Sequence, residues 1–151
     1  MRFKKILVPV DFSEPSREAL RVATAMAADT GAVLVLVHVL RPPPGGYSVG
    51  LELGPMGDDI LKSLMRDATR GVDEYKREAE AAGAKLVSTT IRTGAPWHEI
   101  VELLREDVAF DLAIVGTHGR TGIKHVLIGS VAEKVVRHAP CAVLVVRSRE
   151  S

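Results

Sequence analysis

The stretch Asp111-Leu112-Ala113-Ile114-Val115-Gly116-Thr117-His118-Gly119, followed after nine residues by Gly129-Ser130, decides the fold. Residues 111–115 read as a buried strand, and residues 130–138 read as a helix leaving the segment. Glycines directly after a strand, closing at a helix N-terminus, form backbone that can approach a phosphate closely. Ser130-Val131-Ala132-Glu133 also fits the S/T-x-x-E capping box, which would occupy the same hydroxyl. The spacing by itself leaves the two readings level. Arg120, Lys124 and His125, inside the segment, tilt it toward an anion site.

Four more short apolar runs surround it: Ile6–Val10, Val33–Leu40, Lys85–Ile91 and Ala142–Val146. Most are continuous in Val, Ile and Leu, as expected of parallel strands covered on both faces. Helical periods lie between them. Residues 14–29 bring Leu20, Ala23 and Ala27 onto one stripe, behind a predicted N-cap at Ser13. Residues 58–82 align Leu61, Leu64, Met65, Ala68, Val72, Tyr75, Ala79 and Ala82, and Gly83 stops the helix. Residues 96–107 open with Pro96 and bury Ile100, Val101 and Leu104. Residues 130–138 place Val131, Val135 and Ala139 together.

The resulting βαβαβαβαβ order specifies an α/β fold: a doubly wound, five-stranded parallel sheet of order 3-2-1-4-5, Rossmann-like. The chain, 1–151, reads as a single domain without internal repeats. Residues 41–57 form the one long loop expected, a length typical of lids and binding loops. In this strand order β1 and β4 are neighbours whose chains depart in opposite directions. A ligand crevice is therefore expected between Val10-Asp11-Phe12-Ser13 and the glycine segment.

Composition narrows the function classes. The 151 residues are 46% hydrophobic and 26% charged, ordinary for a soluble globular protein. A net charge of +1 argues against a dedicated nucleic-acid binder. The single Cys141 excludes an internal disulfide framework and reads as a buried small hydrophobe. The basic N-terminus runs into Pro9 and Asp11 rather than a signal peptide, and no apolar run approaches the ~20 residues of a membrane span. A cytoplasmic location is expected.

Other motifs carry little. Gly46-Tyr47-Ser48-Val49-Gly50 matches G-x-S-x-G but lies in a loop, not between a strand and a helix. His98-Glu99-Ile100-Val101-Glu102 lacks the second histidine of a zinc-protease helix. No Gly-Lys-Ser/Thr follows a glycine loop, so a Walker A is absent. A phospho-receiver would need an acidic pair after β1 and an acceptor Asp after β3. The chain offers Asp11 alone and Arg92-Thr93-Gly94. His38 and His118 have no paired carboxylate spaced for catalysis, so no catalytic residue is assigned.

Gly116-x-x-Gly119-x9-Gly129-Ser130 resembles the ATP-binding signature of the universal stress protein family. Lys5-Ile6-Leu7-Val8-Pro9-Val10-Asp11-Phe12-Ser13 is similar to that family's opening strand, and Ala139-Pro140-Cys141-Ala142-Val143-Leu144-Val145-Val146 to its closing strand. The resemblance covers nearly the whole chain and implies an adenine nucleotide alpha hydrolase-like fold. It implies that Asp11 contacts a ribose, with Pro9 and Val10 beside the adenosine. Val39 would bond adenine through its backbone. Gly116, Gly119, Gly129 and Ser130 would cradle phosphates, with Thr117, His118 and Val131 in or beside that shell.

The expected ligand is ATP, with ADP or AMP as alternatives and Mg2+ as a plausible companion, although no carboxylate cage for the metal is evident. The expected role is a stress-response regulator or sensor. The rivals are a slow ATPase, a protein phosphorylated on Ser130 or Thr117, and a nucleotide-free interaction scaffold. Capping of the first helix is the plain alternative for Asp11. The uncharged strand 142–146 lies at a sheet edge, so a strand-to-strand homodimer is expected, weakened by a charge at Val143 or Val145.

Overall fold

The computed structural model describes residues 2–42, 54–117 and 128–148. Five parallel strands, β1 (Lys5–Pro9), β2 (Val33–Leu40), β3 (Leu86–Thr93), β4 (Leu112–Gly116) and β5 (Ala142–Val146), form one sheet of order β3-β2-β1-β4-β5. Helix α1 (Glu14–Thr30) joins β1 to β2, α2 (Pro55–Ala81) precedes β3, α3 (Pro96–Glu106) precedes β4, and α4 (Ser130–His138) precedes β5. The strand order and element order expected from the sequence are those observed.

Right-handed crossovers place α1 and α2 on one face and α3 and α4 on the other. The side chains of the central strands alternate between two cores accordingly. Ile6, Val8, Leu34, Leu36 and Ile114 pack with Ala19, Ala23, Val72 and Tyr75. Leu7, Val35, Val37, Ala113 and Val115 pack with Ile100, Val101, Leu104 and Val135. Burial on both faces is why these strands read as continuous apolar runs.

Helix ends follow local chemistry. Ser13 caps α1 as expected, and Gly31 ends it in the left-handed region at φ 76°. Pro96 opens α3, and Gly83, at φ 111°, follows the end of α2. Helix α2 begins at Pro55, earlier than the expected residue 58, so the connecting loop is shorter than 41–57. Residues 43–53 of that loop, including the G-x-S-x-G match at 46–50, lie outside the described residues.

Two expectations about burial are corrected. Leu61, Leu64 and Met65 are exposed, as are Met56 and Ile60; apart from Gly57, the buried residues of α2 begin at Ala68. Ala82, expected on the same stripe, is also exposed. On β5, Val143 and Val145 pack against the α3–α4 core, while Leu144 points away from it and is 39% exposed. A charge at Val143 or Val145 would therefore attack the fold itself, not an edge contact alone.

Candidate functional site

The crevice at the switch point begins with a proline. Val10 donates its N–H to the Val37 carbonyl (2.8 Å), so residue 10 faces β2 and residue 9 faces β4. The β1–β4 register runs only over Ile6↔Leu112 and Leu7↔Ala113, whereas β1 and β2 pair as far as Pro9↔Val37. The next N–H that β1 would offer β4 is that of residue 9, and proline has none. The ladder stops there, and β1 and β4 are free to part. Pro9, expected beside the ligand, thus opens the space as well.

The turn after β1 is built on a serine and an aspartate. Asp11 Oδ1 accepts from the Ser13 N–H (3.0 Å) and the Ser13 hydroxyl (2.5 Å). The Ser13 oxygen in turn accepts from the Ser16 N–H (3.4 Å), and the Asp11 N–H donates to the buried Ser16 hydroxyl (3.1 Å). Asp11 therefore braces the cap of α1 from two positions further back. Ser13 is the cap.

Phe12, between them, is the one described non-glycine residue with positive φ, at 66°. For a bulky side chain this conformation costs roughly 1–2 kcal/mol. Its ring is held on three sides. The His38 ring lies 4.7 Å away centroid to centroid, and the Tyr75 ring meets it edge-on at 5.3 Å. Gly71, in the middle of α2, leaves the space it fills: a Cβ there would come within 2.7 Å of the Phe12 ring. Tyr75 is itself buried, which pushes its phenol pKa up, and the Arg17 guanidinium lies over its ring at 4.8 Å.

Opposite this turn, β2 outruns β1. Residue 37 faces β1, so residue 39 does too, and the Leu40 carbonyl turns to β3, where it accepts from the Gly94 N–H (2.9 Å). With β1 ended at Pro9 and Val10 the last residue bonded to β2, the Val39 N–H and carbonyl face the crevice without a strand partner among the described residues. Val10 is buried, and its carbonyl accepts a bond from His38 Nδ1 (2.7 Å).

The far wall is the end of β4 and the start of α4. A Cβ at Gly116 would lie 2.7 Å from backbone atoms of Pro15, so this glycine is demanded by the first turn of α1. Buried Thr117 donates its N–H to the Val146 carbonyl (2.9 Å), and its own carbonyl accepts from the Gly129 N–H. Gly129 is the N-cap of α4, and Ser130 is its first helical residue. The capping-box expectation therefore fails: Ser130 is exposed and sits one position inside the helix. Glu133 pairs with Arg137 (2.5 Å) rather than reaching back.

The first amides of α4, those of Ser130, Val131 and Ala132, precede any intrahelical acceptor. The Val131 side chain packs against the α3–α4 core, so what it offers the crevice is its backbone. His118, Gly119, Arg120, Lys124 and His125 lie outside the described residues.

Pro9, Val10, Asp11 and Val39 therefore gather on the β1–β2 side of the crevice. Gly116, Thr117, Gly129, Ser130 and Val131 gather on the β4–α4 side. Sequence reasoning missed Phe12 and Gly71, which carry no local signal. It set aside His38, whose signal was available: a lone polar ring in an otherwise apolar strand. His98 is exposed beside Glu99 (3.4 Å), as a solvated helix start would be. Among the described residues no cluster of His, Cys, Asp and Glu is arranged to hold a metal ion, and no helix is long and apolar enough to cross a membrane.

The family model described as the universal stress protein family matches residues 2–147. Universal stress protein MJ0577 of Methanocaldococcus jannaschii is 34% identical over 160 aligned positions, covering 99% of this chain and 98% of the relative. Universal stress protein UspA from Lactobacillus plantarum superposes with a TM-score of 0.84 at 28% identity, covering 97% of this chain and 99% of the other. A universal stress protein solved in complex with cAMP superposes with a TM-score of 0.67 at 28% identity, covering 98% and 99%.

Proposed function

The chain belongs to the universal stress protein family, and we propose that it binds an adenine nucleotide, ATP in the first instance, in the crevice between β1 and β4. The observation that carries this reading is the backbone edge of Val39, unpartnered among the described residues, facing the Asp11 turn. Adenine presents a donor beside an acceptor, which matches one N–H and one carbonyl on the same side of a strand. Asp11, held by Ser13, stands where a ribose hydroxyl would follow the base. The phosphates would then run toward the first amides of α4, where the helix dipole favours negative charge. A relative of the same fold was solved with cAMP, which agrees in ligand class.

This reading assigns binding rather than turnover, and the protein acts as a cytoplasmic sensor or regulator whose state depends on the bound nucleotide. Mg2+ would ride on the phosphates. Gly119 and His118 are assigned to the phosphate shell on the resemblance alone. The uncharged edge of β5 serves a homodimer, strand against strand. The exposed Ser130 hydroxyl, not consumed by capping, favours a second reading in which it receives a phosphoryl group.

The test is direct. The purified protein is denatured, and the supernatant is resolved by anion exchange. Near-stoichiometric ATP supports a sensor, ADP or AMP supports turnover, and phosphate on Ser130 by mass spectrometry supports the second reading. Absence of nucleotide, together with no binding on titration with ATP, ADP or AMP, overturns the assignment.

A further inference from the structure

We propose that His38 is a positioning residue that keeps the base-binding edge of the site open; its link to ligand affinity rests on the nucleotide reading above. The argument starts from the ladder between β1 and β2. Val10 donates its N–H to the Val37 carbonyl (2.8 Å), so the Val10 carbonyl points the same way, toward β2. In a continuing parallel ladder the next bond runs from the Val39 N–H to that carbonyl. Here the carbonyl instead accepts from His38 Nδ1 (2.7 Å), and the β1–β2 pairing ends at Pro9↔Val37. A carbonyl can only accept, so Nδ1 carries the proton.

A side chain has thus taken the acceptor that would otherwise consume the Val39 N–H. The imidazole is fixed in this task. It is 6% exposed, and the Phe12 ring packs on it at 4.7 Å, tilted by 32°. Phe12 reaches it from a left-handed backbone at φ 66°, into space that Gly71 leaves and Tyr75 bounds. The strained phenylalanine, the helical glycine and the buried histidine form one assembly, and its product is an open amide at Val39. His38 touches no ligand in this scheme; it acts through Val10 and Val39.

Two variants and two readouts test it. His38→Leu removes the donor, and His38→Asn keeps an N–H donor close to the position of Nδ1. In nucleotide-free protein, hydrogen exchange at the Val39 amide, followed by NMR, should slow at least about tenfold in H38L and stay near wild type in H38N, because the freed Val10 carbonyl closes the rung. Affinity for ATP should fall about tenfold or more in H38L, while affinity for inorganic tripolyphosphate, which lacks the base, stays within about twofold. H38N should recover most of the ATP affinity.

Unchanged Val39 exchange in H38L overturns the proposal. So does an equal loss of ATP and tripolyphosphate binding, which would mark a structural role. Wild-type protein that binds neither compound, with Val39 exchange still slowed in H38L, upholds the hydrogen-bond exchange and overturns the nucleotide reading instead.

Discussion

The backbone of Pro15 occupies the space that a side chain at Gly116 would need: a Cβ there would lie 2.7 Å from both its carbonyl carbon and its carbonyl oxygen. The end of β4 and the start of α1 are thereby locked together at the switch point. This contact gives Gly116 a structural reason independent of any phosphate.

Gly116→Ala should therefore destabilise the fold, by about 1–3 kcal/mol, because rigid backbone cannot yield to the added methyl. Thermal unfolding measures this. Gly129→Ala is the contrast: at φ −72° and ψ 162° the backbone there suits any residue. Its expected cost is a few tenths of a kcal/mol plus the ordinary difference between glycine and alanine as a cap. Equal losses in the two variants would contradict the Gly116–Pro15 contact.

Gly71→Ala reverses the usual sign of a helical substitution. An interior glycine replaced by alanine ordinarily gains roughly 1 kcal/mol. At this position the new methyl meets the Phe12 ring at 2.7 Å. The variant should be less stable than wild type in denaturant unfolding, and the double variant G71A/F12L should recover much of the loss. A stabilised G71A would remove Phe12 from its place against α2.

Ser13→Ala removes the α1 cap and the hydroxyl donor held by Asp11. The backbone N–H remains, so the expected loss is about 1 kcal/mol, read from chemical unfolding. Because Asp11 is oriented by that hydroxyl, nucleotide affinity should weaken alongside stability. Asp11→Asn should spare stability more than S13A does, while weakening nucleotide binding at least as much.

Leu144→Lys separates the dimer from the fold. Leu144 is the exposed large side chain of β5, flanked by valines that pack inward. A lysine there should change monomer stability by no more than about 0.5 kcal/mol yet disfavour strand-to-strand pairing. Sedimentation of wild type as a dimer at micromolar concentration, and of L144K as a shifted monomer–dimer mixture, is the expected result. A wild-type monomer would exclude the edge assembly.

Cys141 should react slowly. Burial pushes its thiol pKa up, and the negative charge of Asp111 adds to the effect. The nucleophilic thiolate is therefore scarce between about pH 7 and pH 8, and labelling by iodoacetamide should lag well behind that of free cysteine and accelerate as pH rises. Labelling as fast as free cysteine would contradict this environment.

What the sequence by itself determined was whatever depends on neighbours along the chain. The Val/Ile/Leu runs announced buried parallel strands, Ser13 announced a cap, and Pro96 and Gly83 announced helix limits, because these signals act over one turn or one strand. The alternation of strands and helices then left one strand order and one switch point. Asp11 and the 116–130 segment could be placed opposite each other before any coordinates.

Only the tertiary structure decided the rest. The stripe on α2 looked equally apolar from Leu61 to Ala82, and nothing local says that its large side chains are buried only at Val72 and Tyr75. Ser130 matched a capping box, yet its backbone entered the helix and Gly129 became the cap. Pro9 breaks a ladder only because β4 lies on that side of it. His38 holds Val39 open only because Val10 and Phe12 meet it from another strand and turn. These are contests between distant groups for one carbonyl or one volume, and a contest of that kind has no trace in the order of residues.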